Sequence, residues 1–225
     1  MNISATDVKN LREMTGAGMM DCKHALAESE GDFDKAVVWL RERGMAKAAK
    51  RAGKVAAEGM IAHYIHMGGK IGVIVEVNCE TDFVARGADF QAFAKDVCLQ
   101  VCSANPRWVS IEEVPAAAIE AEKQIYVKQA AETGKPPQVC EKIAEGKLKK
   151  WYEEACLLSQ PSVKPEHEGK TIEALIAELT GKCGEKIGIR RFVRWQVGEG
   201  IEKPVSNLAE EVAAELAKAE AKKNG

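Results

Sequence analysis

Two β-branched runs, Met60-Ile61-Ala62-His63-Tyr64-Ile65-His66 and Ile71-Gly72-Val73-Ile74-Val75-Glu76-Val77, stand on either side of Met67-Gly68-Gly69-Lys70. Runs joined by a glycine-bearing turn form a β-hairpin, and a hairpin makes any sheet at least partly antiparallel. The second run is apolar on both faces for much of its length, which predicts a layer of helices on each side of the sheet. Lys186 to Val197, with Ile187, Ile189, Phe192, Val193, Trp195 and Val197, supplies a third strand. The remaining periodic segments are helical, so the pattern predicts an α+β fold with a small, mainly antiparallel three-stranded sheet packed with helices.

Before the hairpin, punctuation divides the chain into three short helices. Ser4 or Thr6 can cap a helix to about Met14, and Thr15-Gly16-Ala17-Gly18 interrupts it. Met19 to about Ser29 resumes it, Gly31-Asp32 turns the chain, and Asp32 caps a third helix to Arg43, with Gly44 in the position of a C-terminal stop. Val8, Leu11, Met14, Cys22, Leu26, Phe33, Val37 and Leu40 recur at helical spacing, enough for a three-helix bundle. At about 40 residues such a bundle is marginal by itself. After the hairpin, Phe90, Phe93, Ala94, Val97 and Val101 form one apolar stripe, and Asn105-Pro106 ends that helix. Helices from Pro115 to Glu132 and from Pro136 or Pro137 to about Leu158 form an antiparallel pair, with proline in the first turn where a missing N–H is tolerated. Thr171 caps a helix to about Thr180, and a last helix runs from Asn207 to about Lys222.

With 225 residues, 46% hydrophobic and 29% charged, the chain can bury a sizeable core. No stretch approaches the roughly 18 apolar residues of a membrane span, and Met1-Asn2-Ile3-Ser4 lacks the start of a signal peptide, so the expected location is the cytoplasm, with no membrane partner. A formal charge of -2 gives no general attraction to phosphate backbones, and no direct nucleic-acid partner is expected. The cluster Arg41, Arg43, Lys47, Lys50, Arg51 and Lys54 would spread around a helix and reads as a solvated linker rather than an RNA-binding arm. The seven cysteines form no Cys-x-x-Cys pair, so neither a disulfide framework nor a zinc site is indicated. Cys98 and Cys102 share a helix face without a third ligand nearby and read as buried packing residues. No metal and no cofactor are expected.

Asn78-Cys79-Glu80-Thr81-Asp82-Phe83-Val84-Ala85-Arg86 leaves a buried strand and enters a helix, with Thr81 as N-cap and Asp82 in the favourable first turn. Phe83, a large aromatic beside an acid in that first turn, is either folded back to the core or presented at a tip. A thiol enzyme would need Cys79 activated by His63 or His66, yet the acids Glu80 and Asp82 raise a thiol pKa rather than lower it. No enzymatic activity is therefore expected. His24 and His167 read as surface residues. Phosphate-loop, dinucleotide and zinc-protease motifs are all missing. Met19 and Met20 follow a Gly-Ala-Gly loop, and because helix neighbours diverge by about 100°, at least one faces a partner rather than the bundle.

Three segments resemble bacterial elongation factor Ts: Leu11-Arg12-Glu13-Met14-Thr15-Gly16-Ala17-Gly18-Met19-Met20-Asp21-Cys22-Lys23, Val75-Glu76-Val77-Asn78-Cys79-Glu80-Thr81-Asp82-Phe83-Val84-Ala85-Arg86, and Val197-Gly198-Glu199-Gly200-Ile201-Glu202-Lys203. They stand in the family's order across the chain. The resemblance implies a ubiquitin-associated-like module with its basic linker helix over 1–54, an exchange-factor core with a helical hairpin over 55–198, and a C-terminal helical module over 199–225. It also implies guanine-nucleotide exchange on elongation factor Tu. Thr81, Asp82, Phe83 and Val84 inherit a role beside the partner's magnesium site. Lys9, Arg12, Met19 and Met20 would meet the partner's nucleotide domain, and His66 would add a contact from the core. The chain resembles the short form with one core subdomain, so a homodimer, in a two-plus-two complex with the partner, is the hypothesis that form suggests. The rival reading is an adapter using the three-helix module, which makes Asp82 and Phe83 dispensable.

Overall fold

The computed structural model describes residues 3–51 and 53–201, in two units, 1–195 and 196–225. The expected helix from Asn207 to about Lys222 lies outside the described residues.

Three helices open the chain: α1 (Ala5–Thr15), α2 (Met19–Glu28) and α3 (Phe33–Arg51). Ser4 starts α1 with a reciprocal cap, its Oγ accepting from Asp7 N at 3.1 Å while the Asp7 carboxylate accepts from Ser4 N at 3.2 Å. Val8, Leu11, Cys22, Ala25, Leu26 and Ala36 form the core they share. Met14, expected in that core, is 66% exposed and lines a cavity with Val37, Leu40 and Lys182.

The largest departure from expectation is at Gly44. It does not stop α3, which continues through the basic segment to Arg51. Gly44 instead lies where α8 (Ile172–Cys183) crosses, and a Cβ on Gly181 would stand 3.0 Å from the Gly44 Cα. Two glycines without side chains let these helices approach closely, so this packing outweighs the breaking tendency of glycine. The bundle, marginal alone, is thereby docked to the core.

The sheet has the order β1 (Glu58–Ile65), β2 (Ile71–Cys79), β3 (Gly188–Gln196), with β2 central. β1 and β2 are antiparallel, pairing Glu58 with Cys79 and Ile65 with Gly72. The inward row Val73, Val75, Val77 and Cys79 is fully buried against Phe90, Phe93, Ala94, Val97 and Val101 of α5 (Ala88–Ala104) and against α8 residues Leu175 and Leu179. Among the described residues helices cover this face only, where a layer on each side is expected. The outward row of β2 is Gly72, Ile74, Glu76 and Asn78, with Ile74 its one large apolar residue, so the strand alternates as a half-covered strand should. Ile187, just before β3, and Ile189 on it point inward, followed by Phe192 and Arg194. That shift of parity leaves both Arg190 and Arg191 outside, as a one-residue bulge does, and both bind Glu76, at 3.0 and 2.6 Å.

Helices α6 (Ala116–Ala131) and α7 (Pro137–Ala155) form the expected antiparallel pair, closed at their base by Trp108, Val114, Trp151 and Cys156. His167, expected on the surface without partners, is half-buried: Ser162 Oγ lies 2.7 Å from its Nδ1 and Asp96 of α5 3.8 Å from its Nε2. In the second unit, the described residues following Gln196 make a turn, with Glu199 N donating to Gln196 O at 3.1 Å. No described helix is long and apolar enough to cross a membrane.

The glycine crossing gives a paired prediction. Gly181→Ala forces α3 and α8 apart and should destabilise by about 1–3 kcal/mol, reduced by the better helix propensity of alanine. Gly146→Ala, in α7 with nothing within 4 Å of the new methyl, should stabilise by about 0.5–1 kcal/mol. Urea denaturation of both variants checks the sign; two stabilised proteins would contradict the crossing.

Candidate partner-binding site

The tip grows directly out of the buried strand. Cys79 ends β2 with its side chain in the core, its thiol donating to Thr81 O at 3.1 Å. Burial, and then the nearby Glu185 carboxylate, push that thiol up to about 11. The expected suppression therefore holds, but its cause is burial and Glu185 rather than Glu80 and Asp82. A thiol so held is not a nucleophile at neutral pH.

Thr81 is the N-cap of the four-residue helix α4 (Asp82–Ala85), its Oγ1 accepting from Val84 N at 3.5 Å. Asp82 pairs with Arg86 at 2.8 Å. Of the two readings left open for Phe83, presentation is the one found: the ring is 82% exposed. Val84 packs partly into the core and Ala85 is buried, so the helix turns two neighbours inward and holds Phe83 out. An exposed phenyl on a backbone fixed from below is suited to insertion into another surface.

What fixes the backbone comes from far along the chain. Thr81 donates twice to Glu185, from its N at 3.0 Å and its Oγ1 at 2.7 Å. Glu80 accepts from Lys186 N at 2.7 Å and from Arg51 Nη1 at 2.9 and 3.0 Å. The Lys186 N–H first, and the Arg51 guanidinium second, hold the Glu80 carboxyl below the usual glutamate range. Lys186 Nζ also donates to Lys54 O at 2.9 Å. The basic segment is thus partly occupied inside the protein, with Arg43 also 3.9 Å from Asp21 and 4.9 Å above the Trp39 ring.

The N-terminal group stands on α1 and the start of α2. Lys9 and Arg12 are exposed on α1, Lys9 pairing with Glu13 at 3.7 Å. Met19 and Met20 are both exposed, since Cys22 takes the inward position of their helix. The loop before them is closed by Thr15 Oγ1 donating to Leu11 O at 2.7 Å and by Gly16 at φ 67°. Lys182 lies over this glycine: a Cβ there would stand 2.8 Å from the lysine Cε. The Lys182 Nζ continues to Asp89 in the first turn of α5, at 2.8 Å. One side chain therefore touches the loop carrying Met19 and Met20 and the helix that follows the tip.

His66 is not part of this arrangement. It follows β1 at the hairpin turn, with the Tyr64 hydroxyl 3.2 Å from its Nδ1. The seven strand steps from Gly72 to Cys79 put it about 23 Å from the tip end. Glu185, Lys186 and Arg51, which touch the tip, and Lys182, which touches the loop before Met19, carry no site signal in the sequence. Their partners lie far away in sequence, 104 residues for Glu185 and Thr81, and no local pattern encodes such a contact.

Comparison with known proteins gives one consistent result. The sequence profile of the family described as Elongation factor TS matches residues 20–199. An elongation factor Ts of Desulforamulus reducens is 54% identical over 214 residues, covering 95% of this chain and 98% of that protein. One from Alkaliphilus oremlandii is 55% identical over 217 residues (96% and 99%), and one from Geobacter sulfurreducens 52% over 214 residues (95% and 98%).

The anchoring of Glu80 predicts an acid effect. Its pKa is lower folded than unfolded, so its contribution is complete above the unfolded value of about 4.3 and is lost as pH falls through the folded value. Glu80→Gln should flatten the decline of the urea midpoint between about pH 5 and 3. Superimposable curves for the two proteins would contradict the assignment.

Proposed function

The chain belongs to the elongation factor Ts family, and from that premise we propose that it promotes release of GDP from elongation factor Tu, with Asp82 and Phe83 as the wedge and no chemical step of its own. The observation that carries this reading is Phe83, held out on a short helix whose next two residues are anchored in the core. An aromatic side chain left in water is unfavourable unless another surface takes it up.

Magnesium bridges the nucleotide phosphates and a P-loop hydroxyl of such a partner, and it requires near-octahedral geometry. A wedge that shifts the partner's groups around the ion weakens the metal, and with it GDP. The effect is a coupling free energy, so GDP must weaken this chain's binding by the same ratio. Burying one Phe contributes roughly 2–3 kcal/mol, or about 30- to 150-fold. Thr81 and Val84 support the wedge. Lys9, Arg12, Met19 and Met20 supply further contacts to the nucleotide domain, and His66, at the other end of the hairpin, a separate one. The cytoplasm, where translation takes place, is the location this reading requires.

The face of the sheet that no described helix covers favours a homodimer within the same reading. Ile61, Ile65, Ile74 and Trp195 are exposed there, and Glu76 is already neutralised by Arg190 and Arg191. A second copy covering the face by twofold symmetry would bury apolar side chains on both sides, with Glu76 already held by Arg190 and Arg191. Sedimentation at micromolar concentration should give a dimer, and Ile74→Lys a monomer; a monomeric wild type contradicts the dimer.

The exchange reading is tested by release of fluorescent GDP from purified elongation factor Tu. The wild type should accelerate release, and Phe83→Ala should lose about 30-fold or more of that acceleration. Asp82→Ala should also be impaired. No acceleration by the wild type contradicts exchange, and unimpaired variants contradict the wedge and favour an adapter.

A further inference from the structure

We propose that Glu185 is the positioning residue of the tip, and that residues 181–186, closing α8, act as a jig holding the tip and the N-terminal contact group in fixed register. The inference rests on the exchange reading for its consequence, but its structural content stands apart from it.

Six consecutive residues reach both groups. Gly181 meets Gly44 of α3 backbone to backbone, and Lys182 lies over Gly16 and binds Asp89. The helix then ends at Gly184, in the left-handed conformation at φ 73°, which turns the chain toward the tip. Glu185 receives both the N–H and the hydroxyl of Thr81, and Lys186 N binds Glu80. Glu185 thus uses both oxygens on the residue that caps α4. Because the Thr81 hydroxyl donates to Glu185, its lone pairs remain free to accept from Val84 N, so the carboxylate also orients the cap. Removing it takes away the polar anchor of the α4 N-terminus and leaves Val84 and Ala85 to hold a single turn against the core, and short helices do not hold themselves.

A tip ordered before contact loses no affinity to a minor competent population, whereas a loosened tip binds in proportion to the fraction correctly folded. Glu185 should therefore act on the concentration of this chain needed for half-maximal GDP release, not on the maximal rate once the partner is saturated.

The test compares wild type, Glu185→Ala and Glu185→Gln by amide hydrogen exchange and by fluorescent-GDP release. In Glu185→Ala the amides of Thr81, Val84 and Ala85 should exchange about tenfold or more faster, the scale of a lost charge-assisted hydrogen bond. Those of β2 and α5 should be unchanged. The half-maximal concentration should rise about tenfold at an unchanged maximal rate. Glu185→Gln, which keeps one acceptor oxygen, should fall between the two. Unchanged tip protection, a loss of protection throughout the core, or Glu185→Gln no better than Glu185→Ala each overturns the proposal. Should the wild type fail to accelerate release, the exchange reading falls while amide exchange still decides the role of Glu185.

Discussion

The inward row of β2, Val73, Val75, Val77 and Cys79, is the constraint on which the rest depends, because it fixes where the chain must leave the core. Four fully buried side chains in one strand contribute on the order of 1.5–3 kcal/mol each for the larger ones, enough to hold the register against a one-residue slip. Cys79 is the last of them. Whatever follows it is delivered to the surface at a defined point, and the sequence there is a cap, an acid and an aromatic.

Anchoring at such a point is a problem of charge as much as of packing. Glu80 precedes Thr81 and Glu185 binds it, and a carboxylate at such a point needs donors. Each is given donors: Arg51 and the Lys186 N–H for Glu80, the Thr81 N–H and hydroxyl for Glu185. The donors come from α3, from β2's own continuation and from the turn after α8. The two acids thereby join three distant parts of the chain beneath the exposed Phe83.

Much of this was legible from residue types alone. Ser4, Asp32, Thr81 and Thr171 cap helices where expected, and the hairpin turns at its glycines. Failures occurred where a residue's reason lay elsewhere in space. Gly44 looked like a stop because glycine usually is one, and only the crossing with Gly181 explains its place inside a helix. Ile74 made β2 look covered on both faces, although one apolar residue does not make a buried row. For Phe83 the pattern left two readings, and the choice depended on Val84 and Ala85 turning inward. Glu185 carried no local signal, since its partner precedes it by 104 residues. The family resemblance located the tip but said nothing of what holds it.

The account's central claim is mechanical: the exposed tip weakens GDP binding by way of the partner's magnesium ion. The most direct measurement is the GDP release rate from elongation factor Tu across a magnesium titration, including excess chelator, with wild type and Phe83→Ala in parallel. The account predicts a large difference between the two proteins at millimolar magnesium that closes as the ion is removed, because the wedge then has nothing left to displace. A difference that persists undiminished without magnesium would contradict it.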